Sequence, residues 1–224
     1  EVEIWNLVFT QFNRIGKPPE NLHPLPSKNI DTGMGLERTA SVLQGVQTNF
    51  HTDHLFPIVQ AASEVTGQKY EYDSETGRRL RRITDHARAS VFAIHENVYP
   101  GPKDARYVIK RLIRRAVLDG YQMDLREPFL YKLVEAVADA SKHPYPELQQ
   151  TRKRVSEVIE AEEKAFFATI DGGMKRIEQL FTQMREESSV MVPGEAVAEL
   201  NATYGVPPEL LQTLSAEENF TFDW

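Results

Sequence analysis

Two short windows hold the residues best suited to bind anions. Arg78, Arg79, Arg81, Arg82 and Arg88 form one, and Arg106, Lys110, Arg111, Arg114 and Arg115 form the other, together ten of the chain's 26 Lys and Arg residues. Guanidinium groups suit phosphate because each supplies charge and a planar fork of N–H donors. The chain as a whole is acidic, with a formal net charge of −7, which by itself argues against a nucleic-acid binder. Screening limits the reach of distant charge to about 8–10 Å, so a local basic face can still hold phosphates. There are no cysteines, which excludes disulfides and thiolate metal sites, and zinc is not expected. No Ser/His/Asp or Cys/His arrangement identifies a nucleophile or general base, so no catalytic residue is assigned. His51 and His54 flank Asp53 at a metal-like spacing, but Asp53 reads as a helix cap and no metal site is assigned. His86, beside Asp85, fits a structural role better than an RNA contact.

The elements that must position these groups follow from pattern. Residues 3–12, EIWNLVFTQF, read as a buried strand rich in β-branched and aromatic types. Residues 14–29, with four Pro and one Gly, read as a connection, and 29–35 as a short strand or turn entering a helix at 36–44. A helix follows at 53–66, with Asp53 as N-cap and Gly67 just past its end. The polar stretch 68–79 reads as a hairpin-like linker. Helices are then predicted at 80–95, 105–119 and 128–141, the first burying Ile83, Ala87, Ser90, Val91 and Ile94. Between 147 and 187 there is no Pro, and Val155, Ile159, Phe166, Ile170, Ile177, Phe181 and Met184 recur at helix spacing. Gly172-Gly173 is expected to weaken or bend that helix. A helix at 194–201, a turn at 203–208 and a short helix close the sequence.

On a helical wheel Arg106, Lys110, Arg111, Arg114 and Arg115 fall within roughly half the circumference, at about 100° per residue. Val108, Ile109, Leu112, Ile113 and Ala116 occupy the other half. The helix therefore presents one face to a core and one to anions or to plain solvent, and the pattern fits both equally.

The length of 224 residues suits one large domain or two small ones. Apolar residues make up 41%, and adding the 12 Gly brings the share to roughly 46%, an ordinary globular value. No apolar run approaches the ~20 residues of a membrane span, and no signal peptide is visible, so no membrane partner is assigned and a cytoplasmic location fits. The first residue is Glu rather than Met, in a β-like stretch, and the chain reads as a piece of a longer protein.

Two ordered segments carry a resemblance. Glu3-Ile4-Trp5-Asn6-Leu7-Val8-Phe9 with Gln11-Phe12-Asn13, and Asp31-Thr32-Gly33-Met34-Gly35-Leu36-Glu37-Arg38, strongly resemble the alanyl-tRNA synthetase family. The second is similar to motif 3 of class II aminoacyl-tRNA synthetases. The resemblance continues through Asp85-His86-Ala87-Arg88, Tyr107 to Ala116, Glu162-Glu163-Lys164-Ala165-Phe166 and Thr203-Tyr204-Gly205-Val206-Pro207, and so spans essentially the whole chain. It implies an α+β, predominantly α-helical fold. Residues 1–79 would be the C-terminal part of an antiparallel-sheet aminoacylation domain, and 80–224 a helical tRNA-recognition domain. Motifs 1 and 2 would precede residue 1, and editing domains would follow residue 224. The piece alone is then expected to be inactive in adenylate formation.

The family activates alanine with ATP and Mg²⁺ and passes it to the 3′ end of alanine tRNA. By type alone Asp31 reads as a turn or cap residue and Asn6 as a polar strand-edge residue. The resemblance assigns Asp31 to the substrate ammonium, Asn6 to the alanine carboxylate, and Val8 and Gly33 to the small pocket. Gly35 would let backbone approach the nucleotide, Arg38 would contact ATP, and Glu3 would help hold Mg²⁺ with the phosphates. The acceptor stem would lie on Arg106, Lys110, Arg111, Arg114 and Arg115. The family reads a G·U pair there with an Asn and an Asp, but this sequence has Pro102 and Ala202 at those positions. Neither side chain can hydrogen-bond a base edge, which leaves the neighbours Asp104 and Asn201 as candidates. The same departure admits an alternative, a synthetase-like paralogue or non-catalytic RNA-binding module with altered specificity. A helical interaction domain docking through 147–187 is a third reading, against which the complete Asp31–Arg38 motif counts.

Overall fold

The computed structural model describes residues 2–19 and 21–222. It forms two compact units, Glu1–Phe56 and Pro57–Trp224. This packing boundary and the functional boundary expected at 79/80 answer different questions, since the latter comes from the family's domain plan.

The first unit is built on two strands, β1 (Trp5–Arg14) and β2 (Leu22–Met34), paired antiparallel with Asn6 opposite Gly33 and Val8 opposite Asp31. The register breaks between Thr10 and Phe12. Two expectations are corrected here. The strand predicted as buried is exposed along its whole length, because among the described residues of this unit no second layer packs on the ribbon and a two-stranded sheet cannot bury its own faces. The predicted connection 14–29 is largely strand, since β1 supplies a ladder from residue 22 onward; Pro24 sits opposite Phe12 in a ribbon whose outer edges need no donor. Helix α1 (Leu36–Leu43) follows directly, with Gly35 at its N-cap position.

Asp53 does not cap a helix. Its backbone N–H and carboxylate both engage the Gln44 side chain, at 3.0 and 2.7 Å, and a short 3₁₀ turn, Asn49–His51, precedes it. Helix α2 (Phe56–Thr66) starts three residues later than expected and ends at Gly67, whose φ of 65° fits the left-handed cap.

The second unit is helical: α3 (Glu75–His95), α4 (Asp104–Tyr121), α5 (Leu133–Ala140), the long α6 (Leu148–Glu186), α7 (Gly194–Tyr204) and α8 (Pro208–Glu217). Two short parallel strands, β3 (Met191–Val192) and β4 (Thr221–Phe222), pair near the end. Helix α3 begins inside the predicted linker, because Ser74 Oγ accepts the Gly77 N–H at 2.8 Å and Glu75 pairs with Arg78 and Arg79 in the first turns. Its predicted face is buried at Ile83, Ala87, Ser90, Val91 and Ile94. Helix α6 runs through Gly172-Gly173 without interruption. The two glycines admit Tyr204 and Val206, whose side chains stand 2.8 and 3.1 Å from where a Cβ would lie. All seven apolar positions predicted for its inner face are buried. Among the described residues no helix is long and apolar enough to cross a membrane.

Candidate functional site

Cross-strand pairing decides which side chains of the ribbon work together. Residues directly opposite in an antiparallel pair share a face, and so do residues two apart. Asn6, Val8, Asp31 and Gly33 therefore stand on one face, while Trp5, Leu7, Phe9, Ile30 and Met34 stand on the other. Asn6 Oδ1 accepts the Gly33 N–H at 3.1 Å, and Asn6 Nδ2 donates to Glu3 Oε1 at 3.1 Å. A Cβ at residue 33 would lie 2.8 Å from Asn6 Oδ1, so glycine is what lets this bridge form. Asp31 Oδ1 accepts the N–H of Thr32 at 2.8 Å, and the carboxylate is exposed on the ribbon.

Arg38 reaches the same corner. Its Nη1 donates to the Glu3 carbonyl at 3.0 Å, and the Gly35 N–H donates to the Ile4 carbonyl at 3.1 Å. These two bonds fix the start of α1 against the residues leading into β1. Glu3, Asn6, Gly33, Gly35 and Arg38, more than 25 residues apart in sequence at the extremes, thus form one connected network.

In the second unit the basic helix α4 departs from the wheel. Its cations do not form one solvated face. Arg114 and Arg115 are 7% and 9% exposed, and from Ile113 to Gly120 every residue is buried. Arg114 Nε donates to Glu162 at 2.7 Å, its Nη1 donates to the Gly205 carbonyl, and its guanidinium lies 4.9 Å from the Phe166 ring centre. The reason is that α3 and α6 pack against α4, so Glu162 and the Gly205 carbonyl take the Arg114 guanidinium that solvent was expected to hold, while Arg115 has Glu217 of α8 at 3.8 Å. Arg106 is exposed, Lys110 is half-buried, and Arg111 pairs with Glu209 at 3.1 Å. The exposure of α4 thus runs along the helix rather than around it.

Arg79, Arg81 and Arg82 of the first window are likewise turned to internal use, whereas Arg78 is exposed and pairs with Glu75. Arg82 grips the fully buried Asp119 with two hydrogen bonds, Arg79 Nη1 donates to Gln122, and Arg81 donates to the Tyr72 carbonyl at 2.8 Å while lying over its ring.

The loop before α4 and the turn after α7 meet. Pro102, Tyr107, Lys110, Arg114, Asn201, Gly205 and Pro207 line a cleft of about 160 Å³. Asp104 opens α4 with φ of 54° and an exposed side chain. Asn201 Nδ2 donates to the Val206 carbonyl at 3.2 Å, which leaves its Oδ1 as acceptor. Ala202 is exposed beside it.

A model of class II (A) tRNA synthetases matches residues 1–224. The chain belongs to this family. It is 82% identical over its full length to an alanine–tRNA ligase of Rhodopirellula baltica, covering 24% of that protein. It is 42% identical to the alanine–tRNA ligase of Ligilactobacillus salivarius and 40% identical to that of Geobacillus kaustophilus, in each case over 99% of this chain and 25% of the relative. The chain thus spans about a quarter of the length of the curated relatives it matches.

Class II synthetases use ATP with Mg²⁺. Among the described residues no three His, Cys, Asp or Glu side chains gather as a metal cage. Mg²⁺ that travels with nucleotide phosphates needs just one or two protein carboxylates. Glu3 is an exposed carboxylate of this kind, with Oε1 accepting from Asn6 and its carbonyl bonded by Arg38, so its chemistry is compatible with that lean mode. Sequence reasoning did not reveal the inward use of the arginines. The signal that bore on it was Asp119, an acid four residues, about one helix turn, past Arg115.

Proposed function

We propose that this chain carries the alanine- and ATP-binding part and the acceptor-stem-binding part of an alanine–tRNA ligase. The observation that carries the reading is the grouping of Asn6, Val8, Asp31 and Gly33 on one ribbon face, next to the Glu3–Arg38 corner. Alanine offers a zwitterion and a methyl group. Asp31 binds the ammonium by charge-assisted hydrogen bonds, the Asn6 amide faces the carboxylate, and Val8 limits the room for a larger side chain. Attack of the alanine carboxylate on the α-phosphate needs positioning and charge neutralisation rather than a side-chain nucleophile. Arg38 supplies a planar cation to the nucleotide, and Gly35 leaves space for its approach. When bound, Mg²⁺ neutralises phosphate charge, with Glu3 as its protein ligand.

In the second unit Arg106, Lys110 and Arg111 hold the acceptor-stem backbone, which positions RNA without reading it. Asn201 lines the cleft where a base edge would be read, and Asp104 opens α4 between two other lining residues, Pro102 and Tyr107. In the complete protein, Asp31→Ala is expected to raise the KM for alanine in ATP–pyrophosphate exchange by about tenfold to a hundredfold, as for loss of a charge-assisted bond. An unchanged KM refutes the assignment. Arg106→Gln with Lys110→Gln is expected to flatten the salt dependence of RNA binding by roughly one to two units of slope, read by minihelix titration at two salt concentrations. An unaltered slope removes α4 from the RNA interface.

A further inference from the structure

A second cleft, of about 340 Å³, lies between α3, α4 and α8. Arg82 and His86 face it from α3, Arg111, Leu112 and Arg115 from α4, and Leu210 from α8. The three guanidinium groups differ in how well the fold neutralises them. Arg82 has the two oxygens of Asp119, its Nε donating to Oδ2 at 2.6 Å and its Nη2 to Oδ1. Arg111 has Glu209 at 3.1 Å. Arg115 has just Glu217, at 3.8 Å, and its Nη1 is buried without a hydrogen-bond acceptor among the described residues. Burial pushes the Arg115 guanidinium below the ordinary arginine value; Arg82 and Arg79 push the same way, against the pull of Asp119 and Glu217.

An under-neutralised guanidinium at 9% exposure is a costly thing for a fold to keep. Asp119 cannot supply more, because it already serves Arg82 and stands 3.7 Å from Arg79. Among the described wall residues Glu209 is the one carboxylate, and its two oxygens already hold the Tyr107 hydroxyl at 2.9 Å and Arg111. His86 faces Asp85 through Nδ1 at 3.0 Å. The wall therefore offers cations from two helices and no free anion. We infer that this cleft binds a phosphate group, with Arg115 as the cation that the phosphate completes. Forked donors from α3 and α4 match several phosphate oxygens, and Leu112 and Leu210 give an apolar wall to the carbon of a phosphate ester. The inference deepens the acceptor-stem reading, since an RNA backbone phosphate is one source of the group and a free phosphate monoester is the other.

The test follows the unfolding temperature of the whole chain at constant ionic strength, titrated with inorganic phosphate, with AMP and with an RNA minihelix. Arg115→Met removes the cation, and Thr213→Glu, at the half-buried α8 wall, places a negative charge beside the cleft while leaving Arg115 intact. Phosphate is expected to raise the unfolding temperature saturably, and both variants to weaken its binding by about tenfold to a hundredfold. Arg115→Met is further expected to keep or raise the ligand-free unfolding temperature, which a purely structural arginine would not do. No saturable rise, or an equal rise in both variants, overturns the inference. Phosphate binding that RNA displaces assigns the backbone as source, and undisturbed binding assigns a free ester. RNA binding without phosphate binding defeats this cleft alone; phosphate binding without RNA binding defeats the acceptor-stem reading alone.

Discussion

Glu163 is the side chain on which a stability prediction can be worked most fully. It projects from α6, is fully buried, and accepts three backbone N–H bonds of 2.9 Å, from Phe129, Leu130 and Tyr131. These are the donors that open the short 3₁₀ turn Leu130–Lys132, so a distant carboxylate supplies a cap that the local sequence lacks. The three N–H groups favour the charged form, but burial outweighs them and pushes the Glu163 carboxyl up to about 7. Glu163→Gln keeps one oxygen for Phe129 and Leu130 but turns an amide N–H₂ toward the Tyr131 N–H. Loss of one buried acceptor costs about 1–3 kcal/mol. Glu163→Ala strands all three donors and leaves a cavity, and is expected to cost about 3–5 kcal/mol.

The pH dependence has a definite sign. Between the unfolded value of 4.5 and about 7 the native state holds the Glu163 proton more tightly than the unfolded state does. Stability therefore falls as pH rises through that window, by roughly 3 kcal/mol at most, and the full contribution is present below pH 4.5. The glutamine variant has no such proton. Its deficit against the native chain should be larger at pH 5 than at pH 8. Unfolding in urea at the two pH values, followed by far-ultraviolet circular dichroism of the helical unit, measures this directly. Equal pH profiles for the native chain and Glu163→Gln, or a glutamine variant as damaged as the alanine one, would refute the reasoning.

Two further substitutions test close backbone approaches. Gly205 ends α7 at φ of 65°, and a Cβ there would press on Arg114 Nη1; Gly205→Ala should cost about 1–3 kcal/mol, and a denaturation midpoint equal to the native one contradicts this. Gly33→Ala forces a Cβ against Asn6 Oδ1 and should break that cross-strand bond; alanine-dependent pyrophosphate exchange in the complete protein should drop while unfolding of the helical unit stays the same.

The helices were legible because a periodic apolar face needs a core and little else. Val155 to Met184 repeat at helix spacing, and α6 buries each of them. At Gly172-Gly173 the sequence hides what the glycines are for: propensity counts what a glycine costs alone, whereas here Tyr204 and Val206 fill the room that the missing side chains leave. The start of α3 was obscured by polar residues that look like a linker until the Ser74 cap and the Glu75 pairs are seen together. For the candidate site, residues 3–8 and 31–38 could be singled out from sequence, but their common face depends on register, which pairing fixes and composition does not. The inward turn of Arg114 and Arg115 was hidden for a similar reason. Their partners Glu162, Gly205 and Glu217 lie far along the chain, and a wheel sees one helix at a time.

The ribbon also sets a rule for how this segment can change over evolutionary time. Exposed strands ordinarily accept insertions and deletions, because little packs against them. Between Trp5 and Thr10 and between Asn29 and Met34 the opposite holds, since Asn6, Val8, Asp31 and Gly33 share a side through parity alone. Deleting one residue from either stretch would carry Trp5, Leu7 and Phe9, or Ile30 and Met34, to the side where the polar groups stand. Point substitutions at many of these positions would leave that parity intact. Length variation belongs instead beyond the register break at Thr10/Phe12, where pairing has already slipped and a changed count inverts nothing upstream.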